Sequence, residues 1–445
     1  MITTLSSCTA LHSSMEIQVK ESTIVRPAGD TPKKRLWSSN MDVVASRTHV
    51  SIVFFYRHSY DSNFFDTRML KESLSKVLVP FYPVAGRLGF DPNGRIEVDC
   101  NGEGVLFLEA HTDRCIDDFL HRFNSHASLV PVVDYSTDMS SYPLFLSQVT
   151  FFKGGGVCLG VGIHHTLFDG VSTFHFVNAW SDMTRGLSAT VSPIFDHDLL
   201  RARDPPTPSF IHIEFDQQRP LYTPKETKEL QSSPLYISTA TLKITALQLN
   251  TLKANLTNYS TYEILAAHIW RCVCKARDLP VDEITNLYMA VDGRHRLNPP
   301  LPRGYFGNAI FKARLPSLAG EVQSEPLIQT VERVHKVIKR MDDDYMRSII
   351  DYLEVQPHLN LVRPTHAFKC PNLHVVSWAG LPLHDADFGW GRPIYMGLAS
   401  IYIQGAAYIL PSPVNDGSLM LLIGLEGGRI KLFEKYFYAL MPSRL

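Results

Sequence analysis

The stretch of sequence that decides the fold is VCLGVGIHHTLFDG, which runs from Val157 to Gly170. Apolar side chains stand at every second position from Val157 to Ile163, and this alternation predicts a strand with one apolar face. His165 continues that face where the strand ends, and Asp169 follows four residues later. Burial on an apolar face disfavours the imidazolium cation, so His165 is predicted to stay neutral near pH 7 and to be able to accept a proton.

A histidine and an aspartate at this spacing allow three interpretations: a general base with a structural carboxylate, two metal ligands, or a hydrogen-bonded pair in the core. A zinc site needs about three or four ligands. His164 points to the opposite face of the strand, and Cys272 and Cys274 have the wrong spacing for a zinc knuckle. The sequence therefore predicts no metal site. The choice between a base and a core pair stays open on these residues alone.

The bulk composition narrows the class of protein. A chain of 445 residues exceeds one ordinary core and favours two domains. Its 43 basic and 44 acidic residues are well mixed, with a formal net charge of -1, so the sequence offers no electrostatic footprint for nucleic acid or an anionic membrane. Seven scattered cysteines, an odd number, argue against a disulfide framework and predict a cytoplasmic protein. No apolar run approaches the length of a membrane span.

Prolines mark a division of the chain. Six of them stand among charged and polar residues between positions 201 and 238, which is the composition of a surface connection. We therefore predict an N-terminal domain over residues 15–200, an interdomain crossover loop over 201–238 and a C-terminal domain over 239–445. Residues 1–14 are predicted to be a disordered extension.

Both halves mix strands with helices, so the predicted fold class is α/β or mixed α+β. Short apolar runs between turn residues predict the strands, and apolar residues at helical spacing predict the helices. The predicted strands are 52–56, 94–98, 104–108, 145–152, 287–291, 373–378, 407–410 and 420–425, and the predicted helices are 69–78, 262–276, 328–341, 346–353 and one that follows Gly170.

A second motif, DFGWG from Asp387 to Gly391, lies in a predicted loop. Its simplest interpretation is a tight packed turn. Protein kinases also contain Asp-Phe-Gly, but their glycine-rich phosphate loop, Val-Ala-Ile-Lys strand and His-Arg-Asp loop are absent from this sequence. The Gly-x-Ser-x-Gly motif of serine hydrolases is absent as well. The sequence thus excludes a kinase and gives a serine hydrolase no nucleophile.

Taken together, His165-x-x-x-Asp169-Gly170 and DFGWG, about half a chain apart, resemble the two defining motifs of the plant BAHD acyl-CoA-dependent acyltransferases. The resemblance covers nearly everything from Met15 to the end. Its longer matches resemble the hydroxycinnamoyl transferase branch, which includes shikimate or quinate hydroxycinnamoyltransferases and rosmarinate synthases. Those matches are Val25-Arg26-Pro27, Leu36-Trp37, the run from Leu78 to Leu88, Asp292-Gly293-Arg294 and Tyr305-Phe306-Gly307-Asn308.

The resemblance implies a fold of two similar domains like those of chloramphenicol acetyltransferase, each with a mixed sheet flanked by helices, and a channel between them. It also implies the reaction: an acyl-CoA thioester and a small hydroxy acid enter from opposite sides, and His165 removes the hydroxyl proton. In this branch the indole that matches Trp378 donates to the carbonyl oxygen. Acyl-CoA is then a co-substrate, no cofactor or metal is required, and a monomer is expected.

The other motif residues take structural roles by the same resemblance. The family aspartate that matches Asp169 turns away from the substrate and pairs with an arginine, here Arg294, to hold the loop that bears His165. The DFGWG motif lies away from the reacting atoms, and its implied roles are domain arrangement and channel shape. The residues with these implied structural roles are Asp169, Gly170, Arg294, Asp387, Gly389 and Gly391.

Arg363 is the residue that bears most on the acceptor. It matches the branch arginine that binds an acceptor carboxylate, and a guanidinium suits bidentate binding of that group. Val50, Phe54 and Val376 stand where the shikimate-type pattern has a threonine, a tyrosine and another threonine. The loss of three hydroxyls favours an aromatic acceptor such as 4-hydroxyphenyllactate, as in the rosmarinate synthases. The alternatives are shikimate, quinate, malate and tartrate.

Two further departures from the branch pattern leave a different class of protein open. Phe168 stands where the branch more often has alanine or serine, and Gly380 occupies a position that is usually arginine. The competing hypothesis is a binding or regulatory protein that kept the fold and lost catalysis. The intact His165, Asp169 and Trp378 argue against it.

Overall fold

The computed structural model describes residues 17–58, 62–120, 126–188, 190–216, 237–359, 362, 365–414 and 416–440. It shows a mixed α/β fold with two six-stranded mixed sheets and helices in both halves, as the sequence predicted. A third sheet of three strands lies in the first half. The predicted extension over residues 1–14 lies outside the described residues.

The first half contributes eight strands to the described structure. They are β1 (Gln18–Val25), β2 (Arg35–Trp37), β3 (His49–Tyr56), β4 (Arg87–Phe90), β5 (Ile96–Asp99), β6 (Val105–Thr112), β7 (Phe145–Phe152) and β8 (Val157–His164). Strands β1, β6, β7, β8 and β3 follow one another in the first large sheet, where β6 and β7 run parallel and the other pairs run antiparallel. The small sheet has the order β2, β5, β4.

The second half contributes seven strands to the described structure. They are β9 (Ile237–Ile244), β10 (Ile284–Asp292), β11 (Ile310–Leu318), β12 (Leu373–Ser377), β13 (Tyr395–Leu398), β14 (Ala406–Pro411) and β15 (Leu419–Glu426). All but β13 form the second large sheet, in the order β11, β10, β12, β14, β15, β9. The central pairs β10–β12 and β12–β14 are parallel, and the outer pairs are antiparallel.

Several helices begin at a side chain that caps them. Asp342, for example, accepts from the backbone N–H of Tyr345 at 3.0 Å, so the helix predicted over 346–353 begins three residues earlier, at Asp343. The helices are α1 (Asn40–Val43), α2 (Thr67–Val77), α3 (Ile116–Leu120), α4 (Gly170–Thr184), α5 (Ala246–Lys253), α6 (Thr261–Arg277), α7 (Ala319–Ser324), α8 (Leu327–Arg340), α9 (Asp343–Glu354) and α10 (Ile430–Ala439).

One strand corrects the predicted domain boundary. Strand β13 belongs to the second half of the chain, yet it pairs antiparallel with β3 at the edge of the first sheet. The prediction that residues 239–445 form a C-terminal domain therefore does not hold for residues 395–398. The reason is that an apolar run of four residues has no periodicity that could indicate which sheet it joins.

The described part of the predicted crossover loop, residues 201–216, is pinned to α9. Asp351 accepts from Arg203 Nε at 2.6 Å and from the backbone N–H of Thr207 at 2.9 Å. The Ser348 hydroxyl accepts from the backbone N–H of Ser209 at 2.8 Å. Residues 217–236 of the predicted crossover lie outside the described residues, and β9 begins at the next position.

Strand β8 is buried along its whole length, which explains its composition. Its apolar face contributes to a core that also takes in Trp378 and Phe388 from the second half. On the other face a Cβ at Gly160 would lie 1.9 Å from the carbonyl oxygen of Leu129, so only glycine permits this approach. The strand therefore delivers His165 to a point where both halves contribute side chains.

Candidate active site

His165 stands in the loop between β8, which ends at His164, and α4, which begins at Gly170. Its backbone N–H donates to the Thr48 carbonyl at 3.2 Å, and its side chain is half-buried. Burial lowers the pKa of the ring, against smaller opposing contributions from its own backbone and from Asp169. The ring is therefore neutral near pH 7 and able to accept a proton.

One side-chain amide determines which nitrogen of His165 can accept. Asn308 Nδ2 donates to Asp42 Oδ1 at 2.9 Å and to the carbonyls of His165 and Thr166 at 2.9 and 3.1 Å. These acceptors turn Asn308 Oδ1 toward the ring, 3.2 Å from His165 Nδ1. Because an amide oxygen only accepts, Nδ1 carries the proton and Nε2 keeps the lone pair. In the sequence, Asn308 is marked only by its place in the family match Tyr305-Phe306-Gly307-Asn308, which indicates no role for it.

Asp169 is buried and committed to structural partners. Its carboxylate binds Arg294 at 2.7 and 3.0 Å, which is the pairing that the resemblance implied. It also caps α4 by accepting from the Ser172 backbone N–H at 2.9 Å, and it accepts from the Ala309 backbone N–H at 3.1 Å. Burial alone would lower the pKa of Arg294, but the charge of Asp169 outweighs this and raises it. The pair therefore anchors the loop of His165 to the second half.

Trp378 follows β12 and stands beside the start of α4. A Cβ at Gly170 would lie 3.1 Å from Leu381 Cδ1 and 3.6 Å from Trp378 Nε1. The indole packs against the rings of Phe174 and Tyr408 at centroid distances of 5.9 and 5.7 Å, and only 9% of the residue is exposed. An indole held in this way is suited to donate its N–H to an oxygen bound beside the loop of His165.

The residues predicted to bind the acceptor differ in exposure. Val50 and Val376 are half-buried and pack against the core that includes Trp378, and Val376 lies on the same face of β12 as that indole. Phe54 has 0% exposure, so it can shape a pocket only from behind the residues that line it. Arg363 lies outside the described residues, and its role stays a prediction.

The DFGWG motif forms a turn held by its own aspartate. Asp387 Oδ1 accepts from the backbone N–H groups of Gly389 at 2.8 Å and Gly391 at 3.0 Å. Both glycines have positive φ, 104° and 102°, where a side chain would be strained. The Phe388 ring packs 5.0 Å from the ring of Trp180 in the first half, and the chain then enters β13. The motif thus fixes how the second half joins the first sheet.

The two departures from the branch pattern have different surroundings. Phe168 has 0% exposure and packs against Phe176 and Phe306 at centroid distances of 6.0 and 5.2 Å, so it fills the core beneath the loop. Gly380 is exposed, and an added Cβ there would meet nothing within 4 Å. A longer side chain at position 380 would therefore extend into open space.

Clusters of metal-binding side chains and membrane-spanning helices are both absent from the described part of the chain. Among those residues, no group of three or more histidine, cysteine, aspartate or glutamate side chains could hold a metal ion. Within the same ranges, no helix is long and apolar enough to cross a membrane.

Known proteins are similar to this chain in sequence and in fold. Residues 15–440 match a family described as the Transferase family. A shikimate O-hydroxycinnamoyltransferase of Nicotiana tabacum is 52% identical over 433 residues, which cover 95% of this chain and 100% of that protein. A rosmarinate synthase of Plectranthus scutellarioides is 45% identical over 440 residues, again 95% of this chain and 100% of that protein. The crystal structure of vinorine synthase has a TM-score of 0.74 at 23% identity, covering 96% of this chain and 99% of that chain.

Proposed function

The chain belongs to the BAHD family of acyltransferases, and from this premise we propose that it transfers a hydroxycinnamoyl group, such as p-coumaroyl or caffeoyl, from CoA to the hydroxyl of a carboxylate-bearing acceptor. The observation that carries the proposal is the contact of His165 Nδ1 with Asn308 Oδ1, which leaves Nε2 of a neutral ring free to accept a proton. The 52% identity to a protein named as a hydroxycinnamoyltransferase supports the donor.

In the proposed reaction His165 acts as a general base. Its Nε2 takes the proton of the acceptor hydroxyl while the hydroxyl oxygen attacks the thioester carbonyl. A C–O bond forms, and the carbonyl π pair moves to oxygen to give a tetrahedral oxyanion. Its collapse restores the carbonyl and breaks the C–S bond, and the imidazolium returns the proton to the leaving thiolate. The products are an ester and CoA, and no acyl-enzyme is needed.

Trp378 is the proposed donor to the oxyanion. Its packing against Phe174 and Tyr408 holds the indole before the substrate arrives, so little reorganisation accompanies the reaction. One preorganised donor of this kind contributes about 3 kcal/mol to transition-state stabilisation. An aromatic ring that lacks the N–H can still pack against Phe174 and Tyr408, so a substitution of Trp378 can test its role as a donor.

The proposed acceptor is an aromatic hydroxy acid such as 4-hydroxyphenyllactate. The methyl groups of Val50 and Val376 offer no hydrogen-bond partner to a polyhydroxylated ring, and a site without partners disfavours such a ring. Arg363 is the proposed partner of the acceptor carboxylate. Shikimate or quinate is the second candidate, because the relative named for shikimate is 52% identical and the rosmarinate synthase is 45% identical.

A substrate panel with His165→Ala tests the proposal. Purified protein is given p-coumaroyl-CoA or caffeoyl-CoA with hydroxyphenyllactate, shikimate, quinate, malate, tartrate or an amine, and thiol release and product mass are recorded. His165→Ala is expected to lower kcat by about 10²- to 10⁴-fold while CoA binding, measured by calorimetry, persists. His268→Gln is the matched control, since that buried histidine contacts the carbonyl and the ring of Phe437 and the thiol of Cys272, all in the second half.

The outcomes separate the hypotheses. Undiminished turnover by His165→Ala would exclude that residue as the base. Binding of acyl-CoA without thiol release for any acceptor would favour the catalytically inactive binding protein. Arg363→Ala is expected to raise the KM of the acceptor far more than that of acyl-CoA, and equal effects on both would remove Arg363 from the acceptor site.

A further inference from the structure

A fully buried carboxylate joins three segments behind His165. Asp42 in α1 has 0% exposure. Its Oδ1 accepts from the backbone and side-chain N–H groups of Asn308 at 2.8 and 2.9 Å, and its Oδ2 accepts from the backbone N–H and hydroxyl of Ser39 at 2.9 and 2.6 Å. His197 Nδ1 lies 3.0 Å from Oδ2. This carboxylate therefore links α1, the segment of His197 and the amide that contacts His165.

Two contacts of His197 favour a doubly protonated ring. The residue is only 3% exposed, and its Nε2 lies 2.9 Å from the Phe306 carbonyl oxygen, so that nitrogen carries a proton. Its Nδ1 lies 3.0 Å from Asp42 Oδ2, a contact that becomes an ion pair when Nδ1 carries a proton as well. A neutral ring would turn a lone pair toward one of the two oxygens. The geometry therefore favours the imidazolium.

The charges around His197 point the same way. Burial alone would lower the pKa of His197 and raise that of Asp42, but their mutual attraction outweighs burial, so the pKa of His197 is raised and that of Asp42 is lowered. Asp196 also raises the pKa of His197. The Tyr305 ring lies 5.9 Å away, and burial raises the pKa of its phenol well above the usual value, which keeps it neutral.

A close approach of the backbone accompanies this arrangement. A Cβ at Gly307 would lie 2.9 Å from His197 Nε2 and 3.3 Å from the Tyr305 hydroxyl. Glycine at this position thus lets the segment that carries Asn308 lie directly against the imidazolium. The residue before it, Phe306, supplies the carbonyl that His197 Nε2 contacts, and the residue after it supplies the amide.

We propose that His197 is a positioning residue for the acyl transfer: as an imidazolium it keeps Asp42 ionised, Asp42 holds the Asn308 amide, and the amide holds the proton of His165 on Nδ1. The inference rests on the proposed role of His165 as base. Without the cation, Arg95 is the remaining positive charge that acts on Asp42, and the buried carboxylate takes up a proton more readily. The added hydrogen would displace one of the N–H or O–H donors that now reach Asp42.

The consequence for catalysis follows from the amide. An Asn308 amide released from Asp42 is held by the carbonyls of His165 and Thr166 alone, so it turns over in part of the molecules and its NH2 group then faces His165. An NH2 group favours the tautomer that has its lone pair on Nδ1 and its proton on Nε2. That tautomer has no free pair where the acceptor hydroxyl arrives. The loss therefore falls on kcat and leaves the affinity for acyl-CoA unchanged.

Two substitutions of His197 test this inference. His197→Gln keeps a donor without the charge, and kcat is expected to fall about 10- to 100-fold, less than the roughly 10⁴-fold cost of a fixed wrong tautomer, because part of the Asn308 network survives. His197→Arg keeps the charge and is expected to recover kcat to within about fivefold of wild type. The KM of acyl-CoA is expected to stay within about twofold in both. His268→Gln serves again as the control for a buried histidine away from Asp42.

The pH profile of kcat gives the readout that a merely structural role would not change. His197 loses its proton as pH rises through its raised pKa, so wild-type kcat is expected to fall on the alkaline side. Arginine keeps its proton at alkaline pH, so the kcat of His197→Arg is expected not to change with pH there. The kcat of His197→Gln is expected to be low and likewise independent of pH. If the kcat of wild type does not change with pH on the alkaline side, recovery of kcat in His197→Arg but not in His197→Gln supports the positioning role of His197.

The opposing results are equally defined. A kcat of His197→Gln within about twofold of wild type overturns the inference, and so does an alkaline fall that persists in either variant. If His197→Arg does not fold, His197→Gln decides by the same two criteria, with melting temperatures compared against His268→Gln. A failure of the proposed function looks different, because wild-type protein then releases no CoA or His165→Ala keeps its turnover.

Discussion

Asp169→Ala tests whether the aspartate of the first motif is an anchor rather than a partner in the chemistry. The substitution removes the carboxylate that binds Arg294 at 2.7 Å and caps α4 through the Ser172 backbone N–H at 2.9 Å. The guanidinium stays buried with Asp292 at 3.2 Å as its remaining carboxylate. We expect both the stability of the protein and the rate of acyl transfer to fall, because the loop of His165 loses one of its connections to the second half and keeps those through Asn308.

The size of the stability loss follows from the burial of the pair. Removing one partner of a buried ion pair costs about 3–5 kcal/mol, and losing an N-cap costs about 1 kcal/mol. Asp292, whose side chain is 38% exposed, compensates the guanidinium in part, so we expect a loss of about 4 kcal/mol. At about 2–4 °C per kcal/mol for a cooperative unit of roughly 200 residues, the melting temperature should fall by about 8–16 °C.

The assay compares melting with turnover. Thermal unfolding followed by circular dichroism gives the melting temperature, and thiol release measured below both transitions gives kcat. Asp292→Asn is the matched control: it removes the other carboxylate beside Arg294, but because the Asp292 side chain is 38% exposed the pair contributes only about 1 kcal/mol or less, so turnover should stay near wild type. An Asp169→Ala protein that melts like wild type and yet lacks activity would refute the structural account and return Asp169 to the chemistry.

Three further predictions test other parts of the site. Activity is expected to fall as pH drops through the pKa of His165, which burial lowers, so a kcat/KM profile with its acid limb well above about pH 6.5 would contradict a buried neutral base. Trp378→Phe keeps an aromatic ring at this position and removes the N–H together with the five-membered ring; steady-state kinetics should show kcat about 10²-fold lower at similar acyl-CoA KM, and unchanged kcat would exclude the indole as donor. Asp387→Ala frees two backbone N–H groups and should lower the free energy of unfolding by about 2 kcal/mol in denaturant titrations. Asp385→Ala removes an exposed pair with Arg392 at 3.4 Å and should leave the free energy of unfolding nearly unchanged. Equal losses of stability in the two variants would show that the Asp387 hydrogen bonds do not stabilise the turn.

The elements that the sequence predicted are those set by local periodicity. Strand β7 spans Phe145–Phe152 as predicted, and the helix predicted over 262–276 is Thr261–Arg277, because alternation and helical spacing record which face of an element is buried. The pairing of β13 with β3 was not predictable in this way. It joins residues far apart in the chain, and a short apolar run fits either sheet equally well.

His165 could be predicted from a local motif, but the residues that orient it could not. His165 and Asp169 lie four positions apart, so one motif shows both, but the Asn308 amide reaches Asp42 across 266 positions and His165 across 143. The two buried carboxylates accept from consecutive backbone N–H groups. Asp42 accepts from that of Asn308 at 2.8 Å, and Asp169 accepts from that of Ala309 at 3.1 Å. A histidine on a loop of the first half is thus oriented by a segment of the second half that both carboxylates fix. No periodicity within either half can show such an arrangement, since it exists only when the two halves are folded against each other.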